Sequence, residues 1–369
     1  MTGRLLLALF ILLLGFSLVQ SGCVTSAPSA EPGSISARFE TSIHNTRQGK
    51  RTWYAAENGG FEALTGVPLS SMPCLDCHAH PPEGEPDTWD GPGCDNCHKE
   101  EGQPPTQQTC LGCHQRQGLE IKLATGGNQA FSDVHRSNGM VCIDCHTAAE
   151  LHGDGSTPQT MFDTDPGPSG DKCLRCHNGS RAPAPSPVGN AHGIHLDRVD
   201  CSACHVQSAV SCYNCHLEDQ LESPPAKTFY KPVLDWALLI NYRGKVHLAN
   251  LQSVEYQDKT FVAMGPYYGH TVSRRGRNCE ECHSTDAMAE YKSTGKIQMA
   301  EWDASQQDVT FHNGVVPVPP DWDQGTLAFD FVTKDADNLW SFLEAGPDAY
   351  QMLYGEPLTS EQIATLGGG

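Results

Sequence analysis

Eight copies of the pattern Cys-x-x-Cys-His stand out in this sequence of 369 residues. Two thiols separated by two residues and followed at once by an imidazole are the attachment signature of a c-type haem. Both sulfurs bond the haem vinyl groups, and the histidine binds the iron. The eight sets are Cys74, Cys77 and His78; Cys94, Cys97 and His98; Cys110, Cys113 and His114; Cys142, Cys145 and His146; Cys173, Cys176 and His177; Cys201, Cys204 and His205; Cys212, Cys215 and His216; and Cys279, Cys282 and His283. The sequence therefore predicts eight covalently bound c-type haems.

A single Cys-x-x-Cys would fit a zinc knuckle or a redox dithiol equally well. Here the motifs use sixteen of the seventeen cysteines, and each motif is followed by histidine. Only Cys23 is left over, so no cysteine pair remains for a disulfide. This regularity favours haem attachment over zinc or disulfide chemistry.

Nine further histidines are candidates for the second iron ligand, close to the eight that eight haems require. They are His44, His80, His135, His152, His192, His195, His247, His270 and His312. The near match predicts two histidine ligands on almost every iron, with one histidine spare. A methionine at one site, such as Met72, Met140, Met161 or Met264, is an alternative that would raise the potential of that haem.

Spacing limits some of these assignments. His80 follows His78 by two residues, so the two side chains diverge and His80 must serve a different haem. His192 and His195 are three residues apart and share one face of a helical turn, so we expect them to serve two neighbouring haems. An iron held by two imidazoles passes single electrons but has no open position for a substrate, in contrast to catalytic metal sites. The pattern thus predicts an electron carrier and not an enzyme.

The N-terminus is typical of an exported protein. Residues 1–22 are predicted to be a signal peptide, with Arg4 before an apolar run from Leu5 to Leu14 that is too short to span a membrane. The following Cys23 ends a segment that resembles a bacterial lipobox, which implies lipidation of Cys23; ordinary cleavage nearby is the alternative. Val24 after the cysteine implies sorting to the outer membrane.

Composition divides the mature chain into three parts: residues 23–70, a tether and N-terminal segment; residues 71–218, a seven-haem domain; and residues 219–369, a C-terminal domain that contains β-structure and carries the eighth haem. From Met72 to His216 only 18 of 145 residues are Leu, Ile, Val or Phe, a fraction typical of disordered chains. We therefore expect a core made of haem, surrounded mostly by coil with short α-helices.

The C-terminal part is richer in apolar residues, since residues 217–369 contain 32 Leu, Ile, Val or Phe among 153 residues. Strands or extended segments are predicted in five places, and Thr359 is predicted to cap a short helix that ends at Leu366. The predicted extended segments are 236–240, 253–256, 260–264, 315–320 and 327–332.

The formal charge of −20 argues against a nucleic-acid partner. It favours basic redox partners or cationic acceptors, whose attraction should weaken with salt.

The motifs from Cys74 to His283 resemble those of multihaem c-type cytochromes exported by metal-respiring bacteria. The resemblance implies stacked and T-shaped haem pairs that carry electrons from a quinol-side donor to an outer acceptor. It also implies redox partner proteins, such as other cytochromes or an outer-membrane porin–cytochrome complex, and a location in the periplasm or at the outer membrane or cell surface.

Two other functions remain open at this stage. The haem number also resembles that of octahaem reductases of small nitrogen or sulfur oxyanions, although no Cys-x-x-Cys-Lys occurs here. The second possible function is that of a subunit of a cytochrome filament or other oligomer. In such a filament His44 would bind a haem of the neighbouring protomer. The stretch from Cys201 to His216 holds two motifs and is expected to be the junction at which electrons pass to the Cys279–Cys282 haem.

Overall fold

The computed structural model describes residues 33–71, 93–100, 102–163, 169–186, 191–222, 229–334 and 339–367. The predictions for the signal peptide, Cys23, the Cys74–His78 motif, His80 and Met72 lie outside the described residues. Within the described ranges no helix has the length and apolar character needed to cross a membrane.

The first half of the described chain consists of short helices joined by turns. Many begin at a side-chain cap, such as Thr106, Thr147 or Asp200, whose oxygen accepts a hydrogen bond from the first turn. The helices are α1 Ile35–Glu40, α2 Ile43–Thr46, α3 Gln48–Tyr54, α4 Glu62–Thr65, α5 Cys94–Cys97, α6 Gln107–Cys113, α7 Gln115–Thr125, α8 Val134–Ser137, α9 Cys142–Cys145, α10 Ala148–His152, α11 Ser169–Leu174, α12 Ala191–His195 and α13 Cys201–His205.

The second half is built mainly from strands. Four helices accompany them: α14 Leu217–Glu222, α15 Cys279–His283, α16 Asp286–Thr294 and α17 Ser360–Leu366. The strands are β1 Ser211–His216, β2 Phe229–Val233, β3 Trp236–Tyr242, β4 Lys245–Tyr256, β5 Lys259–Pro266, β6 Ile297–Asp303, β7 Asp308–Phe311, β8 Gly314–Pro317, β9 Leu327–Phe329, β10 Phe331–Lys334, β11 Trp340–Leu343 and β12 Ala349–Met352.

The long strand β4 organises a seven-stranded mixed sheet. One of its edges pairs with β5, and the other pairs first with β3 and then with β1, while β2, β8 and β12 extend the sheet. The β4–β5 turn has positive φ at both Gln257 and Asp258, the geometry of a two-residue hairpin turn that follows the strand twist. Two smaller sheets, β10–β11 and β7–β6–β9, complete the region.

The apolar core lies in this second half. Tyr213 is fully buried against Trp236 and Phe331, with ring centroids 5.9 and 5.5 Å apart. Between residues 93 and 200, by contrast, the described buried apolar side chains are those of Phe131 and Phe162. The helical half therefore has little polypeptide core of its own.

The expectation of short helices followed by β-structure is confirmed. Each predicted extended segment overlaps at least one strand, although residues 318–320 follow the end of β8. Thr359 caps α17 with a reciprocal bond from Gln362, as its sequence predicts. The placement of the Cys212–His216 motif among turns and short helices is wrong. This motif is β1, a strand of the large sheet, because Tyr213 is drawn into the aromatic core, and the sheet thus begins before residue 219.

In protein made without haem, the helical half and the sheet half should differ in hydrogen-exchange protection. We expect amides of α5–α13 to exchange rapidly in a chain made without haem attachment, since little apolar surface is buried there, while β3, β4 and β5 stay protected by their own core. Hydrogen exchange with mass spectrometry measures both. Equal protection of the two halves would contradict the expectation.

A buried carboxyl joins the halves and gives a pH prediction. Glu120 on α7 is fully buried and accepts a hydrogen bond of 2.9 Å from Tyr267, which follows β5. Burial raises the pKa of Glu120, and the Tyr267 bond only partly opposes this shift. A raised pKa gives stability that is complete below the ordinary pKa of 4.5 and declines as the pH rises through the folded-state value.

We therefore expect Glu120→Gln to raise the melting temperature by a few degrees at pH 7 and to have little effect at pH 4. The amide keeps an acceptor for Tyr267 but removes the ionisation. Calorimetry at the two pH values tests this, with exposed Asp154→Asn as the control. A destabilised variant at pH 7 would show that the carboxylate itself is needed.

Candidate haem-binding sites

Most described motifs are single helical turns. The amide of His98 donates to the carbonyl of Cys94 at 2.8 Å, and those of His146 and His177 repeat this bond at 2.9 and 2.8 Å. The closed turn brings both thiols to one side and carries the histidine just beyond them. The motifs that begin at Cys201 and Cys279 lie entirely within α13 and α15.

Six motif histidines each face a histidine from outside the motifs. The ring centroids are 6.2 Å apart for His114 and His44, 5.9 Å for His98 and His152, 6.2 Å for His177 and His135, 6.2 Å for His146 and His270, 6.0 Å for His205 and His192, and 6.2 Å for His283 and His195. The near constancy of this distance indicates a shared geometric requirement.

That requirement matches an iron between the two rings. Imidazole nitrogens bind a metal ion at about 2.0–2.1 Å, so two on opposite sides are about 4 Å apart. Adding the distance from each nitrogen to its ring centre gives about 6 Å between centroids. The two histidines of each facing pair would therefore be able to hold one iron between them.

The second ring nitrogen of several of these histidines has its own acceptor, which leaves Nε2 for the iron. The Nδ1 partners are the carbonyls of Gln103 for His98 at 2.7 Å, Pro183 for His177 at 3.1 Å, Ser273 for His205 at 3.0 Å, Thr365 for His283 at 3.1 Å and Ala191 for His195 at 2.8 Å. His146 instead pairs with the Glu150 carboxylate at 3.1 Å. A carboxylate partner makes an imidazole a stronger electron donor to a metal.

Apolar side chains beside the motifs are exposed in the polypeptide. Val141 and Ile143 flank Cys142, Leu174 follows Cys173, and Ile194 lies between two ligand candidates with 73% of its surface exposed. A porphyrin bonded to the neighbouring cysteines would cover such surfaces. The residues at these six sites thus fit a c-type haem, whose iron supplies one-electron redox chemistry when bound.

Thiols of different motifs lie side by side. The thiols of Cys110 and Cys142 are close neighbours, and so are those of Cys173 and Cys201. Burial raises the pKa of Cys204 to about 11, with a smaller contribution from the neighbouring Cys282 thiol. Cys145 has Cys176 as an electrostatic neighbour in the same way. Consecutive attachment points are therefore close in space, and the Cys201 motif is next to the Cys279 motif.

Asp133 locks two ligand segments together. Its Oδ1 accepts bonds of 2.9 Å from the amides of His135 and Arg136, and its Oδ2 accepts one of 2.8 Å from Val272. One buried carboxylate therefore fixes His135 and the segment that contains His270. Sequence reasoning missed this role, although Asp two residues before His135 is a recognisable helix cap.

Arg277 holds the Cys201 motif against the sheet half. Its guanidinium donates to the carbonyls of Ala203, Val206 and Gln207 at 3.2, 2.8 and 2.7 Å. The side chain is largely buried, and its bonds satisfy the carbonyls at the end of α13. Its role was not apparent from the sequence, because its partners are about 70 residues away.

Two predicted ligands do not face a motif histidine in the described part of the chain. His247 is buried between Tyr242 and Tyr268, with Nδ1 2.7 Å from the Leu248 carbonyl. His312 lies beside Glu290, with Nδ1 3.9 Å from the carboxylate. Met264 is in the apolar core.

His44 faces His114 of the same chain, so a ligand role for it requires no neighbouring protomer. His216 differs from the six paired motif histidines: its Nε2 is 2.6 Å from a carboxylate oxygen of Glu255, and Trp340 packs edge-on against the ring at 5.0 Å.

Comparison with known proteins agrees with this geometry. A family model described as cytochrome c3 matches residues 134–217, which include four of the motifs. No curated protein and no solved structure matches the chain.

The repeated motifs, the facing histidines and this match define a multihaem c-type cytochrome. Its covalently bound haems serve electron transfer.

The shared role of Asp133 can be tested by Asp133→Ala. The change removes a helix cap and leaves the partly buried amide of Val272 without an acceptor, so we expect a loss of about 3 kcal/mol of unfolding free energy. Urea unfolding of the holoprotein measures it. Asp154→Ala, which removes an exposed turn cap at Ser156, is the matched control and should cost less than about 1 kcal/mol. Equal effects of the two substitutions would contradict the shared role of Asp133 in fixing the segments of His135 and His270.

Proposed function

We propose that this protein is an exported octahaem cytochrome that relays single electrons in anaerobic or extracellular respiration. The observation that supports it most directly is the set of six facing histidine pairs at nearly equal spacing. Two histidine ligands saturate an iron, so such haems are suited to pass electrons and not to bind substrates.

The neighbouring thiols support an order for the relay. They link the sites that begin at Cys110, Cys142, Cys173, Cys201 and Cys279 into one series, and Cys97 is an electrostatic neighbour of Cys110 at the other end. In this proposal the Cys201 motif passes electrons to the C-terminal haem. The proximity of Cys204 and Cys282 supports that junction.

The acidic chain suits basic redox partners or a cationic outer acceptor. We place the protein in the periplasm or at the outer membrane, anchored through a lipid on Cys23. The position of His44 inside its own chain removes the argument for a filament that was based on that residue.

Replacing one distal ligand tests the relay. Methionine opposite histidine raises a haem potential, so His195→Met should move one of eight haems to a higher potential in a spectroscopic redox titration. His312→Met changes a histidine that faces no described motif and should leave the titration unchanged. Near-infrared magnetic circular dichroism of the ferric wild type should count at least six low-spin haems with two histidines. Fewer than six, or equal effects of the two variants, would overturn the proposed relay.

A further inference from the structure

The carboxylate of Glu150 contacts the imidazole of a motif histidine. Its Oε1 lies 3.1 Å from Nδ1 of His146. When Nε2 of His146 binds iron, Nδ1 carries the proton and donates it in a hydrogen bond to the carboxylate. Because a carboxylate is ionised at neutral pH, this bond is charge-assisted and draws the proton away from the ring. The ring of His146 therefore carries more negative charge than that of a histidine with a neutral acceptor.

Glu150 is held in place by its helix and by a lysine. It lies in the first turn of α10, where its amide donates to the hydroxyl of the capping residue Thr147 at 3.3 Å. Its Oε1 also accepts a bond of 3.1 Å from Nζ of Lys172, the residue just before Cys173. The side chains of Glu150 and Lys172 are only 21% and 25% exposed. The carboxylate is therefore fixed between the Cys142 and Cys173 sites.

The motif histidines of four other sites have neutral acceptors. Their Nδ1 atoms lie 2.7, 3.1, 3.0 and 3.1 Å from main-chain carbonyl oxygens, for His98, His177, His205 and His283 in that order. A carboxylate also lies near His135, but Oδ1 of Asp133 is 3.8 Å from Nδ1 and is already bonded to two amides. The carboxylate on the His146 ring thus distinguishes the Cys142 site from these four sites.

The acceptor on a ligand histidine changes the reduction potential of the iron that it binds. Hydrogen bonds to the ligands are one of the means by which a protein sets the potential of a haem. A ring with more negative charge stabilises the ferric ion relative to the ferrous ion, because the ferric ion has the larger positive charge. A haem bound by His146 is therefore harder to reduce than one whose motif histidine donates to a carbonyl.

We propose that Glu150 lowers the potential of the Cys142 haem below the potentials of those four haems, so that this haem is an uphill step inside the relay. The inference rests on the proposed function, because it requires haems at these sites and the series given by the neighbouring thiols.

The position of the uphill step divides the relay into two groups of haems. In the series of neighbouring thiols, the Cys142 site has two described sites on one side, Cys94 and Cys110, and three on the other, Cys173, Cys201 and Cys279. Electrons are then stored within each group and pass between the groups one at a time through the Cys142 haem.

The holoprotein variant Glu150→Gln tests the proposal. The amide keeps an oxygen acceptor for His146 and removes the charge, so reduction of one haem should become about tenfold more favourable. That change is a rise of about 59 mV for one electron in a spectroscopic redox titration. The near-infrared charge-transfer band of the same haem, which reports on its axial ligands, should move in magnetic circular dichroism. In the wild type this band should disappear later during stepwise reduction than those of at least four other haems.

Asp144→Asn is the matched control, since it removes a negative charge from the same motif. The Asp144 carboxylate accepts a bond of 2.7 Å from the amide of Val141 and not from an imidazole. An asparagine keeps that acceptor, so the variant should change the reduction equilibrium less than about twofold and leave the near-infrared band in place.

Lys172→Met should shift the potential in the opposite direction. It removes the positive charge bonded to Glu150, so the carboxylate accepts more strongly from His146 and the potential should fall. A purely structural role of the Glu150–Lys172 pair would instead move the potential in the same direction in both variants, which would overturn the proposal.

An unchanged potential and band in Glu150→Gln, or shifts of equal size in Glu150→Gln and Asp144→Asn, would also overturn the proposal and leave the relay intact. If Glu150→Gln does not fold, Lys172→Met still decides, because a potential that does not fall contradicts the proposal. Fewer than six low-spin haems with two histidines in the wild type would instead refute the relay.

Discussion

The pairing of histidines across an iron-sized gap is the constraint on which the rest of the structure depends. The two members of a pair are often remote in sequence: α2 brings His44 to His114, and the segment after β5 brings His270 to His146. Each haem would therefore fasten two or more segments by thioether and iron bonds together. This explains how a helical half with few buried apolar residues can be ordered, since covalent and metal links replace the hydrophobic core, as in other small scaffolds.

The sheet half acts as the platform for these links. The segment between β5 and α15 carries His270, receives the Asp133 carboxylate at Val272, and supplies the Ser273 carbonyl to His205. Arg277 in the same segment binds the carbonyls that follow α13. A single irregular segment therefore touches three ligand sites, and its position is fixed by β5, whose register with β4 extends over eight residue pairs.

The Cys-x-x-Cys-His motif occurs on two kinds of backbone in this protein, a helical turn and a β-strand. Its histidine has different surroundings on each. On a free helical turn, the histidine projects away from the local core and finds a partner from another element. On β1, the flanking strands surround the motif, and the neighbour in register with His216 is Glu255. The sheet thus determines the surroundings of that histidine. The same Cys-x-x-Cys-His sequence is associated with a closed pair in six cases and with a carboxylate environment in the seventh described case.

The sequence by itself determined the chemistry. The spacing of thiols and imidazoles is local, so the haem motifs and their histidines can be identified without knowledge of the fold. It also predicted extended structure in β3, β4, β5, β8 and β9–β10 and the capped helix α17, because alternation and capping are short-range patterns. It did not predict β6, β7, β11 or β12. The tertiary structure decided which histidines face each other, since partners such as His195 and His283 are brought together only by packing. It alone placed Cys212–His216 in a strand and Glu255 beside His216, because a five-residue motif contains no information about its neighbours in a sheet.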